Sequence, residues 1–460
     1  MIYAGIHIDA ILEDAVKSGA AFAELFFEET AFSNIRVESG KIDRAIAGTD
    51  RGMGLRLFNN NIVYYASTTN LTQDGANHLL KELTAYLRPG KTSNPVVLTG
   101  PSSAHTKVAK HPLGINLARK ADILTSAQNE AYKLSDQIIQ VQGVYIDSVR
   151  KIAIFSTTGT SVEDEQVRTT VSFNVIIDKD GKLHTGYESL GGSTGMELFN
   201  NDAQITTAQT AATRAIKMSN SMPIKGGRMT VVLSSEAGGT MIHEAVGHGL
   251  EADHIYKNLS VYADKLNRQV ASPLITVVDD PTLPGMRGSF SFDDEGTPAQ
   301  RNVVIENGIL KNYLFDIKDA MEHSRKPTSN GRRESFRYPP IPRMTNTLIL
   351  SGTDKPSSII SDVESGLLVL KMGGGEVNTA TGDFIFEITE GHTIERGQIG
   401  PPVEGVTLLG NGPAVLLEID RVGSDIGYSI GTCGKDGQGV PVADGQPTLR
   451  IPQIVVGGKK

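Results

Sequence analysis

Apolar positions along the first half of the chain switch repeatedly between helical spacing and strand alternation. Ile8, Ile11, Leu12, Ala15 and Val16 follow helical spacing, with Asp9 as N-cap and Gly19 as stop. Residues 22–32 read as a strand, and shorter strands follow at 34–38, 54–58 and 62–67. Turn signals separate them at Ser39-Gly40, at Thr49-Asp50 with Gly52, and at Asn59-Asn60-Asn61. A helix at 73–87 ends before Pro89-Gly90, and residues 89–114, rich in Pro, Ser and Gly, read as a connection. A second helix spans about 116–135. Strands at 138–148, 151–156, 167–178 and 182–189 come next, the last two joined by the turn Asp178-Lys179-Asp180-Gly181. A helix at 204–219 closes this part. The pattern predicts an α+β fold, with helices laid on antiparallel meanders over residues 1–222.

From 223 to 460 the pattern changes. Residues 229–233 form a short apolar strand that feeds a helix. Beyond about 270, short strands at 274–278, 303–306, 313–315, 348–350, 367–371, 384–390 and 414–420 alternate with glycines and prolines. This predicts a mainly β domain with one embedded helix. No internal repeat of fixed period is present.

Composition narrows the class. The 460 residues suffice for two or three domains, and 39% hydrophobic with 21% charged residues is ordinary for a soluble globular protein. The 49 glycines imply many turns and close backbone approaches, and without Trp the core rests on Ile, Val, Leu, Phe and Tyr. A net charge of −8 argues against nucleic acid as the main partner. The start of the chain lacks the basic and apolar run of a secretory signal, and no window approaches the roughly 18 apolar residues of a membrane helix. The single cysteine excludes an intrachain disulfide, so cytoplasm is the default location and no membrane partner is expected.

The embedded helix carries the chemistry. In His243-Glu244-Ala245-Val246-Gly247-His248, two imidazoles flank a carboxylate, the materials of a hydrolytic metal site. On an ideal helix residues five apart diverge by about 140°, so His243 and His248 cannot share an ion. A one-residue π-bulge restores a common face, and Gly247 and Gly249 tolerate such a distortion. Glu244, about 100° from His243, can hold a water without being a ligand. A third ligand is still needed. Cys433 is a candidate, since a thiolate would favour zinc over magnesium or calcium. A lone cysteine is also commonly a small buried hydrophobe. Gly431 and Gly434 argue for a tight turn around it, and spacing alone does not bring it to residue 243.

The run His243 to Asp253 resembles the signature of the TldD/PmbA family of metalloproteases. Further blocks agree in order: Phe292 to Pro298, Ile305 to Lys311, Asn330 to Ser335, Pro342 to Asn346, Gly431 to Gln438 and Gly445 to Arg450. They cover about the second half, and the first half is similar in element pattern only. The resemblance implies one zinc ion (Zn2+) per active subunit on His243, His248 and Cys433, with Glu244 as catalytic base and residues 223–460 as the metallopeptidase domain. It also implies a cytosolic dimer, either a homodimer or a heterodimer with a family subunit lacking the motif, that cleaves unfolded peptides in an enclosed cavity. This chain keeps the motif and so resembles the active, TldD-type subunit.

Other features carry two readings each. Arg325, Lys326, Arg332, Arg333, Arg337 and Arg343 read first as a solvated loop, and second as a substrate wall of guanidinium forks. Asp279, Asp280, Asp293, Asp294 and Glu295 suit turns and strand ends, or else a second cation or support for the metal ligands. His254 reads as a surface histidine, or as a proton donor to the leaving amine. Gly373-Gly374-Gly375 lacks a phosphate-loop context but would let a substrate backbone approach. Against hydrolysis of polypeptide stand two alternatives: a non-catalytic peptide-binding or scaffold protein with a structural zinc, and a hydrolase of small amides.

Overall fold

A computed structural model gives the architecture and describes residues 1–88, 96–98 and 100–458. Among these residues the first sheet has seven strands: β1 (Phe22–Glu38), β2 (Lys41–Asn59), β3 (Ile62–Thr68), β4 (Ser102–His105), β5 (Ile138–Ser156), β6 (Ser161–Lys179) and β7 (Lys182–Gly192). Their order is β3-β2-β1-β5-β6-β4, with β7 pairing the other end of β6. Every ladder is antiparallel except β4–β6. Three hairpins turn on two residues with positive φ, Ser39-Gly40, Asn60-Asn61 and Asp180-Gly181, a geometry that matches strand twist.

The strands are longer than the alternation implied. β1, β2 and β5 run straight through the breaks expected near 33, 49–52 and 149–150. Thr49, Asp50 and Arg51 keep ladder positions on a solvated face, which pairing tolerates, whereas Ser33 is buried under Lys120 and Arg150 is held in ion pairs. Gly52 is mid-strand because a Cβ would stand 2.1 Å from the Phe336 ring packed on it. Of the expected connection at 89–114, residues 89–95 and 99 lie outside the described residues, and β4 adds a strand to the sheet edge.

Four helices cover this sheet: α1 (Ile8–Lys17), α2 (Gln73–Thr84), α3 (Leu117–Tyr132) and α4 (Ala203–Met218). His7, not Asp9, stands at the N-cap of α1, whereas Thr72 and Asn116 cap α2 and α3 with their side chains. Helices α1 and α2 bury Ile11, Leu12, Leu79 and Leu83 with Leu25, Phe27 and Leu55. Helices α3 and α4 bury Leu124, Ala127, Ala208 and Ala211 with Tyr145 and Phe173. The fold is α+β, as expected.

The second half holds an eight-stranded sheet, with Gly227–Leu233 between Ser365–Val377 and Leu449–Gly457. A six-stranded sheet ends on the hairpin Gly427–Lys435 and Gln438–Gln446. Three expectations fail here. Residues 414–420 form no strand: the helix Gly412–Glu418 starts there, with Asn411 as cap and Pro413 in its first turn. An apolar run this short does not distinguish the two structures. Residues 313–315 contribute only an isolated bridge, Leu314 to Glu251. Ala252–Tyr256, Ile317–Glu322 and Pro356–Ser361 are helical as well, so the domain embeds several helices.

The halves are fastened by buried ion pairs. Arg56 on β2 meets Glu24 at 2.5 Å and Glu295 at 2.6 Å, and Arg333 also pairs with Glu24. Arg332, Arg333 and Arg343 are buried, so for these three the solvated-loop reading is corrected; Arg325, Lys326 and Arg337 are exposed. Among the described residues no helix is long and apolar enough to cross a membrane.

Candidate metal centre

Beyond Gly227–Leu233 the chain coils at three pitches: α-helical over Thr240–Ile242, π-helical over His243–Gly247 and 3₁₀ over His248–Leu250. The His248 N–H donates to the His243 carbonyl five residues back, the bond of a π-turn. The widened turn absorbs the extra residue in the spacing. The two imidazoles stand 5.0 Å apart between ring centroids, at 89° to one another.

Gly247 has ordinary helical angles, φ −55° and ψ −56°. Its role is clearance, since a Cβ would lie 1.8 Å from Met344 Sδ. Side chains satisfy the carbonyls that the irregular coil leaves over. The Tyr262 hydroxyl donates to the Ala245 carbonyl at 3.0 Å, and the Ser260 hydroxyl donates to that of Gly249. His254 Nδ1 lies 3.0 Å from the His248 carbonyl. His254 is therefore a half-buried cap, neither a free surface histidine nor a group aimed at a leaving amine.

The third donor arrives on the hairpin. Its turn is Asp436-Gly437, with φ of 50° and 72°, so Cys433 lies in a strand and not in the turn its flanking glycines suggested. Cys433 pairs with Val440, and Asp444 projects to the same face four residues on. One hairpin thus presents both a thiol and a carboxylate to the helix. The ligand atoms of His243, His248 and Cys433 all lie within 4.8 Å of one another, with Cys433 Sγ 3.5 Å from His248 Nε2.

Each imidazole is oriented by a carboxylate. His243 Nδ1 is 2.7 Å from Asp444 Oδ1, and His248 Nδ1 is 3.1 Å from Glu251 Oε2. These contacts leave both Nε2 atoms for the centre, as metal-ligating histidines require. Lys435 Nζ in turn donates to Glu251 at 3.0 Å and to Asp253 at 2.7 Å. That ammonium occupies the neighbouring Glu251, Asp253 and His254 group, which is an ion-pair cluster despite its ligand-like spacing.

The electrostatics suit a cation. Burial disfavours the Cys433 thiolate, but hydrogen bonds and charge from His243 and His248 outweigh it and bring the thiol down to about 5. Burial likewise disfavours both imidazolium ions. Asp444 and Cys433 nevertheless hold His243 well above its ordinary value, and Glu251 and Cys433 hold His248 up at about 10. Two imidazoles and a thiolate, all buried and preoriented, fit zinc in particular.

Glu244 is half-buried beside the ligands and, among the described residues, makes no hydrogen bond or ion pair. Burial raises its pKa, opposed by the charges of His243 and His248. It lines a cleft of about 460 Å³ with His243, Thr240, Gly373, Gly374 and Ile430. Gly373 and Gly374 thus stand where the sequence reading wanted open backbone. Gly375 is different: a Cβ there would meet the Phe386 ring at 1.9 Å.

The acidic clusters serve structure. Asp279 accepts from Asn330, Thr345 and Thr347, Asp280 accepts from Thr282, and Asp293 accepts backbone N–H groups from Glu295, Thr297 and Gly331. Asp294 pairs with Arg150 at 2.6 Å. Support for the ligands comes instead from Glu251 and Asp444. Glu251 was findable, three residues beyond His248 in the motif. Asp444, 201 residues from its partner, had only the Asp-Gly hairpin as a signal.

Three family descriptions match: PmbA/TldA metallopeptidase domain 1 over residues 23–85, central domain over 110–219 and C-terminal domain over 226–458. A metalloprotease TldD homolog of Buchnera aphidicola is 32% identical, covering 97% of this chain and 95% of that one. A zinc metalloprotease TldD homolog of Saccharolobus solfataricus is 26% identical over 97% and 99% of the two chains. The crystal structure of TldE from Thermococcus kodakarensis superposes with a TM-score of 0.77 at 17% identity, covering 98% of this chain and 100% of that one.

Proposed function

The chain belongs to the PmbA/TldD family of metallopeptidases, and on that footing we propose that it is a zinc-dependent peptidase acting on extended or unfolded polypeptide. In this reading His243, His248 and Cys433 hold the ion, and residues 223–460 form the catalytic domain behind an α+β domain of residues 1–222. The observation that carries it is the convergence of the three ligand atoms with both Nδ1 positions tied to carboxylates. Three protein ligands would match the donor count of catalytic zinc sites, which keep a position for water or substrate. When bound, zinc supplies Lewis acidity to a peptide carbonyl and lowers the pKa of water.

The chain's own residues do the rest. Glu244 accepts a proton at its carboxylate from the attacking water and delivers it to the departing amide nitrogen. Asp444 and Glu251 hold the imidazole tautomers. Gly427–Lys435 is the last strand of its sheet and contributes Ser429, Ile430 and Gly431 to the cleft wall. A substrate laid beside it as an added strand would be bound through its backbone, with little demand on side chains.

The test is metal content measured together with digestion of an unfolded protein. Cleavage should stop with a chelator and return with zinc. Unchanged cleavage in a demonstrably metal-free sample would overturn the proposal. A non-catalytic scaffold with structural zinc would need a fourth protein ligand, and the group within reach among the described residues has three. Asp444→Asn should weaken zinc binding by about 10–100-fold with the fold intact, read by competition with a chromophoric chelator. We further propose a cytoplasmic dimer, either of two such chains or with a motif-lacking subunit. The shared fold with TldE supports the second arrangement.

A further inference from the structure

On the other face of the Cys433 hairpin lies a second cavity of about 220 Å³, between the first sheet and the segments 287–294 and 332–334. Thr432 and Pro441, paired across the hairpin, form one wall. Five arginines face this space. Two are matched: Arg150 pairs with Asp294 and Glu28, and Arg333 pairs with Glu24. Three are not.

Among the described residues, every hydrogen bond of Arg168, Arg287 and Arg332 goes to a neutral oxygen. Arg168 donates to the carbonyls of Arg287 and Ser289 and to the Gln166 amide oxygen. Arg287 donates to the Gly431 carbonyl and the Thr432 hydroxyl. Arg332 donates to the carbonyls of Met344 and Pro441. A guanidinium has five N–H donors, so each keeps at least two free. Arg168 and Arg332 are buried, at 6% and 3% exposure. Burial, then repulsion from Arg332, Arg150 and Arg287, pulls the Arg168 pKa down to about 9.

The nearby acids attract these arginines only at a distance: Asp294 acts on Arg168 and Arg332, and Asp164 on Arg168, with no ion pair or hydrogen bond to any of the three among the described residues. Burial and the charge of Glu295 push Asp293 well above its ordinary value, towards the neutral form. Glu334 is exposed and accepts from the Gly439 N–H. Buried charge without a counter-charge is costly, and planar guanidinium forks match the oxygens of a carboxylate or phosphate. We propose that this cavity binds one small oxyanion, a carboxylate or phosphate group, clamped by Arg168, Arg287 and Arg332. Because Arg287 and Arg332 also hold the Gly431 and Pro441 carbonyls, the bound anion firms the hairpin that carries Cys433.

The source is either free phosphate or the carboxyl end of a peptide. Calorimetry of the zinc-loaded protein with inorganic phosphate, at ionic strength fixed with chloride, tests for the site. Saturable binding is expected, weakened about tenfold or more by Arg168→Gln and by Arg287→Gln, since each removes a charge-assisted contact. Arg450→Gln, which disrupts a pair with Asp420 elsewhere, should leave binding unchanged. Should Arg168→Gln not fold, the half-buried Arg287 carries the same test. Competition by a peptide with a free carboxyl end, and not by its amide, assigns the site to peptide ends; no competition assigns it to the free anion. Absence of saturable binding by both phosphate and carboxyl-ended peptide, or binding equal in Arg287→Gln and wild type, overturns the proposal. No hydrolysis is read, so the peptidase proposal stands or falls separately.

Discussion

Replacing Glu244 with glutamine should leave zinc content at the wild-type level and reduce kcat for peptide cleavage by about 10²–10⁴-fold, the usual contribution of a general base. The variant keeps the shape of the side chain and removes its capacity to take a proton. Nothing in the described structure holds Glu244: it has no partner to lose, so its loss should not disturb packing. Its position supports a proton carrier rather than a ligand, since His243, His248 and Cys433 converge without it. In the metal-free protein burial raises its pKa; in the wild-type rate profile an acid limb should report the loss of its carboxylate, and that limb should vanish in the variant. Rate profiles and metal analysis on the same preparations check both halves. Full activity would remove Glu244 from the mechanism, and lost zinc would make it a ligand.

The motif was legible because its misfit had one cheap remedy. Five-residue spacing on a helix demands a π-turn, and the chain has one over His243–Gly247. The reason for Gly247 was not legible, because the clash it avoids is with Met344, nearly a hundred residues on and invisible to local pattern. Cys433 could be suspected from its type, but its approach depends on a strand pairing across Asp436-Gly437 and on sheet contacts distant in sequence. Gly52 misled in the same way. A glycine following three polar residues looks like a turn, and only the Phe336 ring lying on it explains a strand. The helices of the first half were readable because each buries one stripe on one sheet. The helix Gly412–Glu418 was not, since it is short and its apolar run fits either period.

Zinc affinity should rise by about two decades per pH unit across neutrality, which over three units exceeds the effect of most single substitutions. The sign follows from the metal-free charges. The Cys433 thiol, brought to about 5 by its two imidazole neighbours against the effect of burial, has already lost its proton at pH 7. His248, at about 10, and His243, held well above its ordinary value, both still carry one. A metal takes neutral imidazoles, so each ion bound near pH 7 displaces about two protons, and raising the pH favours uptake until the His248 value is passed. Below about pH 5 the thiol joins them and the slope steepens to about three protons. In Asp444→Asn the charge that raises His243 is gone, so proton release at pH 7 should fall towards one even though the affinity also falls. Calorimetric titration in buffers of different ionisation enthalpy counts these protons directly. An affinity independent of pH between 6 and 9 would mean that the imidazoles are already neutral in the free protein, and that the carboxylates behind them orient the rings without charging them.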